Sequence, residues 1–127
     1  MAAFDFAKVK DPTFFKENVL NAHASFRTYA SREEYRTGSP LALKLDGIWK
    51  FAYAKNYTSA IPGFEKTDYN CSGWDDIHVP AHIQMEGYDI PQYANVQYPW
   101  DGREEVQPGE IPQRFNPVAS YVKYFEL

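Results

Sequence analysis

Leu43-Lys44-Leu45-Asp46-Gly47-Ile48-Trp49-Lys50-Phe51-Ala52-Tyr53 decides the fold class. Apolar residues alternate with other residues on both sides of Asp46-Gly47. Asp-Gly between two alternating runs is the signature of a type I′ hairpin, in which both turn residues take φ > 0. Along the second run Trp49, Phe51 and Tyr53 recur at period two, so they share one face of a strand, predicted to be the core face. Lys50 then faces water.

Few elements outward from this stretch compete with strands. Ile77-His78-Val79 reads as a short strand ended by Pro80, and Ile83 to Gly87 as a further short extended stretch. Tyr121-Val122-Lys123-Tyr124-Phe125 reads as another strand, close to Leu127. Between Tyr53 and Trp74 lies a polar connection with Phe64 and Trp74 as its expected anchors. Residues 100–113 carry Asp-Gly, Pro-Gly and Ile-Pro punctuation and read as irregular loop. Upstream, residues 1–40 form an arm with few aliphatic residues. Asp11-Pro12 is a helix start over Thr13 to Asn18, and Ser31-Arg32-Glu33-Glu34 is a capping box closed by Gly38 and Pro40. The fold class is therefore all-β, a β-sandwich over residues 41–127 with a short helical N-terminal arm over residues 1–40. Four or five strands are fewer than the eight or so of a jelly roll, so the domain is expected to be incomplete.

Composition narrows the function. The chain has 127 residues, 44% apolar, with 9 Phe, 10 Tyr and 3 Trp, a load inconsistent with disorder. A folded chain of this mass has about 7,000 Å² of surface against about 21,000 Å² unfolded, enough burial for one core. Thirteen basic and 17 acidic residues leave a net charge of −4, so nucleic acid is not an expected partner. Cys71 is the only cysteine, which excludes a disulfide framework and is compatible with a reducing compartment. No segment at the N-terminus has signal-peptide length, and none reaches the ~20 apolar residues of a membrane span. A cytoplasmic location without membrane attachment is the expectation, and the sequons at Asn56 and Asn70 are read as chance.

Candidate chemistry is sparse. Glu33-Glu34, Asp75-Asp76 and Glu104-Glu105 are adjacent carboxylates, but neighbours on a strand point to opposite faces and do not converge on one bond. His78 and His82 have helical metal-ligand spacing, but Pro80 lies between them. No phosphate loop or nucleophile elbow occurs, and Cys71 with His78 has residue types suited to a nucleophile and base but nothing more. Tyr88, Tyr93, Tyr98 and Trp100 accompany Gln84, Gln92, Asn95 and Gln97. Rings suit the C–H faces of sugars and amides suit their hydroxyls, so this segment is fitted for saccharide contact. Equally, Tyr and Asn fill irregular loops by packing and by bonding their own backbone.

Gly87-Tyr88-Asp89-Ile90-Pro91-Gln92-Tyr93-Ala94-Asn95-Val96-Gln97-Tyr98-Pro99-Trp100-Asp101-Gly102 resembles the N-terminal sugar-binding domain of glycoside hydrolase family 2 β-galactosidases. Leu45-Asp46-Gly47-Ile48-Trp49-Lys50-Phe51, Trp74 with Ile77 to Gln84, and Asn116-Pro117-Val118-Ala119-Ser120-Tyr121 resemble further pieces of it in order. His23 resembles an early Ala-His of the family. Ile83 departs from a usual Trp and Ala119 from a usual Gly. The resemblance implies a galactose-binding-like jelly roll that continues past Leu127. It also implies retaining hydrolysis of terminal β-D-galactosides such as lactose by two glutamates that are not among these residues. This chain alone is then inactive, with no catalytic residue and no metal site of its own. The family's magnesium and sodium lie mostly outside it, and no cofactor is expected within it. Asn95 matches the residue that reaches the galactose pocket, with Val96 its neighbour in that wall. The implied partners are the galactoside, the remainder of a β-galactosidase chain and neighbouring subunits, which the arm helps to assemble. A free-standing carbohydrate-binding module and a purely structural assembly element are the alternatives.

Overall fold

The computed structural model describes residues 5–91, 95–97 and 99–127. The chain divides into two compact units, residues 1–44 and residues 45–127.

The first unit is built of local turns. A 3-10 helix spans Phe6–Lys10, with the Asp5 carboxylate accepting the Ala7 amide at its start. The expected helix over Thr13 to Asn18 is absent. Asp11 ends the 3-10 helix instead, and its carboxylate is held by the Thr13 amide and hydroxyl at 2.8 and 2.7 Å. An Asp that bonds two residues ahead makes an isolated turn as readily as a helix cap. Helix α1, Arg32–Thr37, does form where the capping box lies. Ser31 Oγ accepts the Glu34 amide, and Glu34 reaches back to the Ala30 amide, one residue earlier than the standard pattern. Gly38 ends α1 at φ 96° while its N–H still bonds Glu34 O.

The second unit is an open antiparallel sheet of three strands with little helix, an all-β architecture. Strand β1 is Gly47–Ala54, β2 is Asp75–Val79 and β3 is Val118–Val122. The order is β2-β1-β3, with Trp49 opposite Ile77 and Phe51 opposite both Asp75 and Tyr121. The expected Asp-Gly hairpin does not form. Gly47 has φ 116°, but Asp46 is not at positive φ, and a type I′ turn needs both. Leu43 to Leu45 is not a strand, and both edges of β1 are taken by partners from far along the chain. The Leu45 carbonyl instead accepts Trp49 Nε1–H at 2.7 Å.

The predicted core face is the observed one. Phe51 and Ile77 are the largest fully buried side chains. Tyr121 lies edge-on to Phe51 and Trp49, and Tyr88 caps Phe51 with ring centroids 4.5 Å apart. On the opposite face Lys50 is only partly exposed and pairs with Asp76, its cross-strand neighbour, at 2.8 Å. The connection between β1 and β2 is anchored as expected, by Phe64 against Trp74, with Tyr69 beside them. It carries a short 3-10 helix, Tyr57–Ser59, capped by Asn56.

Two other expectations are corrected. Residues 83–87 are a chain of turns closed by Tyr88 N–H to Ile83 O, because Gly87 takes φ 93°. The last strand begins at Val118 and ends at Val122, so it starts earlier and stops sooner than the apolar run suggests. Pairing with β1 sets those limits, since Ala54 meets Val118 and Lys50 meets Val122. Ala119 is an ordinary strand residue opposite Tyr53, without a positive φ.

Candidate functional site

The described residues of the segment 87–102 form turns and bends with two feet, one at each end. The first foot is Tyr88. Its ring packs on Phe51 and Tyr53, and its hydroxyl donates to Asp75 Oδ2 at 2.9 Å. Burial and the Asp75 carboxylate push this phenol above its ordinary pKa, so it stays a donor at neutral pH. Asp89, the next residue, turns the chain away from the sheet with φ 59°, one of two non-glycine residues at positive φ among those described.

The second foot is Trp100. Its Nε1–H bonds Phe115 O at 3.1 Å, and its carbonyl accepts the Arg103 and Glu104 amides. Glu104 then fastens the returning chain. Its carboxylate accepts the backbone N–H groups of Gln113, Arg114 and Phe115 at 2.8, 2.9 and 3.4 Å, which lowers its pKa. Arg114 donates to Arg103 O, and the Arg103 guanidinium stacks 4.4 Å from the Phe115 ring. The Asn116 amide ties this foot to Lys55 O, just beyond β1. Sequence reading placed residues 100–113 in an irregular loop but missed Glu104 as its fastener. Nothing local marks it, because its partners lie nine to eleven residues ahead.

Between the feet stand Asn95, Val96 and Gln97, all exposed, with Val96 at 88% of its full accessibility. Gln92, Tyr93 and Tyr98 lie outside the described residues. Asn95 and Val96, the two residues singled out as substrate contacts, are thus adjacent on a surface bend of a loop that is fastened at both ends.

The other candidates are dispersed. The adjacent acids are split as strand and cap geometry requires. Asp75 takes Tyr88 while Asp76 takes Lys50, Glu34 caps α1, and Glu104 staples the loop. Cys71 is buried with its Sγ 3.6 Å from Tyr124 Oη, whereas His78 is exposed, with Nδ1 3.9 Å from a Glu86 oxygen. The cysteine and histidine are therefore not brought together. Among the described residues no three His, Cys, Asp or Glu side chains converge as a metal site would need. No helix among them is long and apolar enough to cross a membrane. Among the described residues, Asn95 and Gln97 stand exposed on the surface, while Tyr88 and Trp100 are packed and bonded at the two feet.

Residues 42–127 match the family glycosyl hydrolases family 2, sugar binding domain. A β-galactosidase of Halalkalibacterium halodurans is 44% identical over 121 residues, covering 94% of this chain and 12% of its own length. One of Streptococcus thermophilus is 40% identical over 120 residues, again 94% of this chain and 12% of the relative. A β-galactosidase large subunit of Leuconostoc lactis is 34% identical over 129 residues, 92% of this chain and 21% of the relative. The chain therefore spans about an eighth to a fifth of the length of these relatives. With the match covering the whole sheet and both feet of the 87–102 loop, the chain belongs to the sugar-binding domain family of the family 2 glycosyl hydrolases.

Proposed function

We propose that this chain is the N-terminal sugar-binding part of a β-galactosidase and that its 87–102 loop forms one wall of the galactoside site. The observation that carries the reading is the family match together with the loop's two feet, which leave Asn95 and Val96 presented on the surface. A side-chain amide such as that of Asn95 combines donor and acceptor groups of the kind that sugar hydroxyls pair with. Val96 lies beside it as an apolar neighbour for a C–H face. Discrimination follows where the remainder of the polypeptide covers this exposed residue, because a sugar lacking the matching hydroxyl then forfeits its bond to the amide. The chain's own part is to orient substrate. Hydrolysis with retention needs two carboxylates about 5 Å apart, and these come from elsewhere in the polypeptide, as do most of the magnesium and sodium sites. The enzyme is cytoplasmic and oligomeric in this reading, with the arm, residues 1–40, serving assembly.

Asn95→Ala in the polypeptide that carries this domain is the test. It should raise KM for a β-galactoside about tenfold or more and narrow the preference for galactosides over glucosides. Galactoside kinetics untouched by Asn95→Ala, with arm deletions dissociating the oligomer, would leave a purely structural element. Galactose binding by the 127-residue chain in an organism that makes no longer product would leave a free-standing binding module.

A further inference from the structure

Beside the first foot of the loop lies a cavity of about 370 Å³ lined by Tyr53, Lys55, Asp89, Ile90, Arg103 and Phe115. That volume is within the range of small-molecule sites. Phe115 and Ile90 are its apolar lining residues. Its polar groups are of mixed sign: one carboxylate, two cations and a phenol. The Asp89 and Arg103 charges both reach the Tyr53 hydroxyl, the first raising its pKa and the second lowering it, while burial raises it most. Among the described residues no ion pair or hydrogen bond engages the Asp89 carboxylate, the Lys55 ammonium or the Arg103 guanidinium, which only stacks on Phe115. The opposite charges therefore share the cavity without meeting at ion-pair distance. Asp89 lines the cavity with a left-handed backbone, a conformation uncommon outside glycine.

We propose that this cavity is a second saccharide subsite, separate in residues from Asn95 and Val96, that takes one neutral pyranose ring. An anionic ligand would meet the Asp89 carboxylate, and a cationic one would meet Arg103 and Lys55. Sugar hydroxyls both donate and accept, so one ring satisfies the carboxylate and the two cations together. Its C–H face lies on Phe115 and Ile90. The inference shares its ligand class with the function proposed above and rests on that reading for it, but on none of the same side chains.

The test is a titration of the isotope-labelled 127-residue chain with methyl β-D-galactopyranoside, and separately with inorganic phosphate, followed through backbone amide shifts. The sugar should move the amides of Asp89, Ile90, Arg103 and Phe115. Asp89→Asn should weaken that response about tenfold, and Tyr53→Phe should weaken it less. Asn tolerates the same positive φ, so the variant keeps the fold, which near-ultraviolet circular dichroism of the aromatic cluster verifies. Asn95→Ala should leave this response intact. Shifts confined to residues 95–97 would overturn the subsite while leaving the proposed function standing. Shifts at Asp89 and Arg103 without any at residues 95–97 would support the subsite by itself, the Asn95 wall being tested by the kinetics of the longer polypeptide. A response to phosphate but not to sugar, no response to either, or an Asp89→Asn variant that binds as well as the parent would each overturn the proposal.

Discussion

Glu104 shows how much one side chain organises here. Three backbone donors on its carboxylate hold the chain that returns from the loop to β3, and they lower its pKa below that of an ordinary glutamate. The sign of the pH effect follows. The folded value lies below the unfolded one, so the stabilisation is fully present above the unfolded pKa of about 4.3 and is lost as pH falls through the folded pKa. Amide shifts of Gln113 and Arg114 should therefore titrate with a midpoint below about 4.3 and stay flat through neutral pH. A midpoint at or above that of a free glutamate would show that the staple is absent in solution. Global acid unfolding is a poorer readout, because Asp11 and Glu34 carry depressed values too. At this scale the sequence was uneven in what it disclosed. The aromatic face of Trp49, Phe51 and Tyr53 was legible from period two alone. So was the capping box at Ser31, since both depend on neighbours within four positions. Glu104, Asp75 and Asp89 were not, because their roles depend on partners or backbone angles that only the closed loop creates.

At the scale of elements, β1 is the axis on which the second unit turns, and its first residue is the place to test it. Gly47 sits at φ 116° opposite Val79, and a Cβ built there meets nothing within 4 Å. Gly47→Ala is thus a measurement of backbone strain without a steric clash. It should cost about 1–3 kcal/mol, read from the urea midpoint at constant slope. Gly73→Ala is the control, since Gly73 has neither a positive φ nor a near neighbour, and it should be neutral or mildly stabilising. Equal effects at the two sites would mean that β1 does not begin as described. The same glycine explains why Asp46-Gly47 was misread. Gly47 does take the positive φ that the dipeptide signals, but a hairpin also requires Leu43 to Leu45 to pair with β1. Strands β2 and β3 take both edges of β1 instead, and that long-range competition leaves no mark on the dipeptide. Strand limits shifted for the same reason at β3, where the register with β1 overrode the apolar run.

For the whole molecule, the sheet's two outer edges differ in a way that predicts how copies behave. Strand β2 carries Asp75 and Asp76, and charge on an edge opposes pairing with another chain. Strand β3 reads Val-Ala-Ser-Tyr-Val, with neither charge nor proline, so its outer backbone is an unguarded template. Two copies joined antiparallel through β3 would extend each three-stranded sheet into one of six strands. Light scattering of the purified chain should therefore show a dimer that grows with concentration, and Val118→Lys should shift it toward monomer by placing a charge on that edge. A monomer at high concentration would remove the argument. In the longer β-galactosidase proposed above, the β3 edge is available to further strands of the same chain, and association through it should vanish. Probing a cell extract with an antibody to these residues joins the two questions. A product many times heavier than 14.7 kDa, without the β3-mediated dimer, supports both the enzyme reading and the edge argument. A product of 14.7 kDa that dimerises keeps the edge argument and makes saccharide binding, rather than hydrolysis, the chain's own activity.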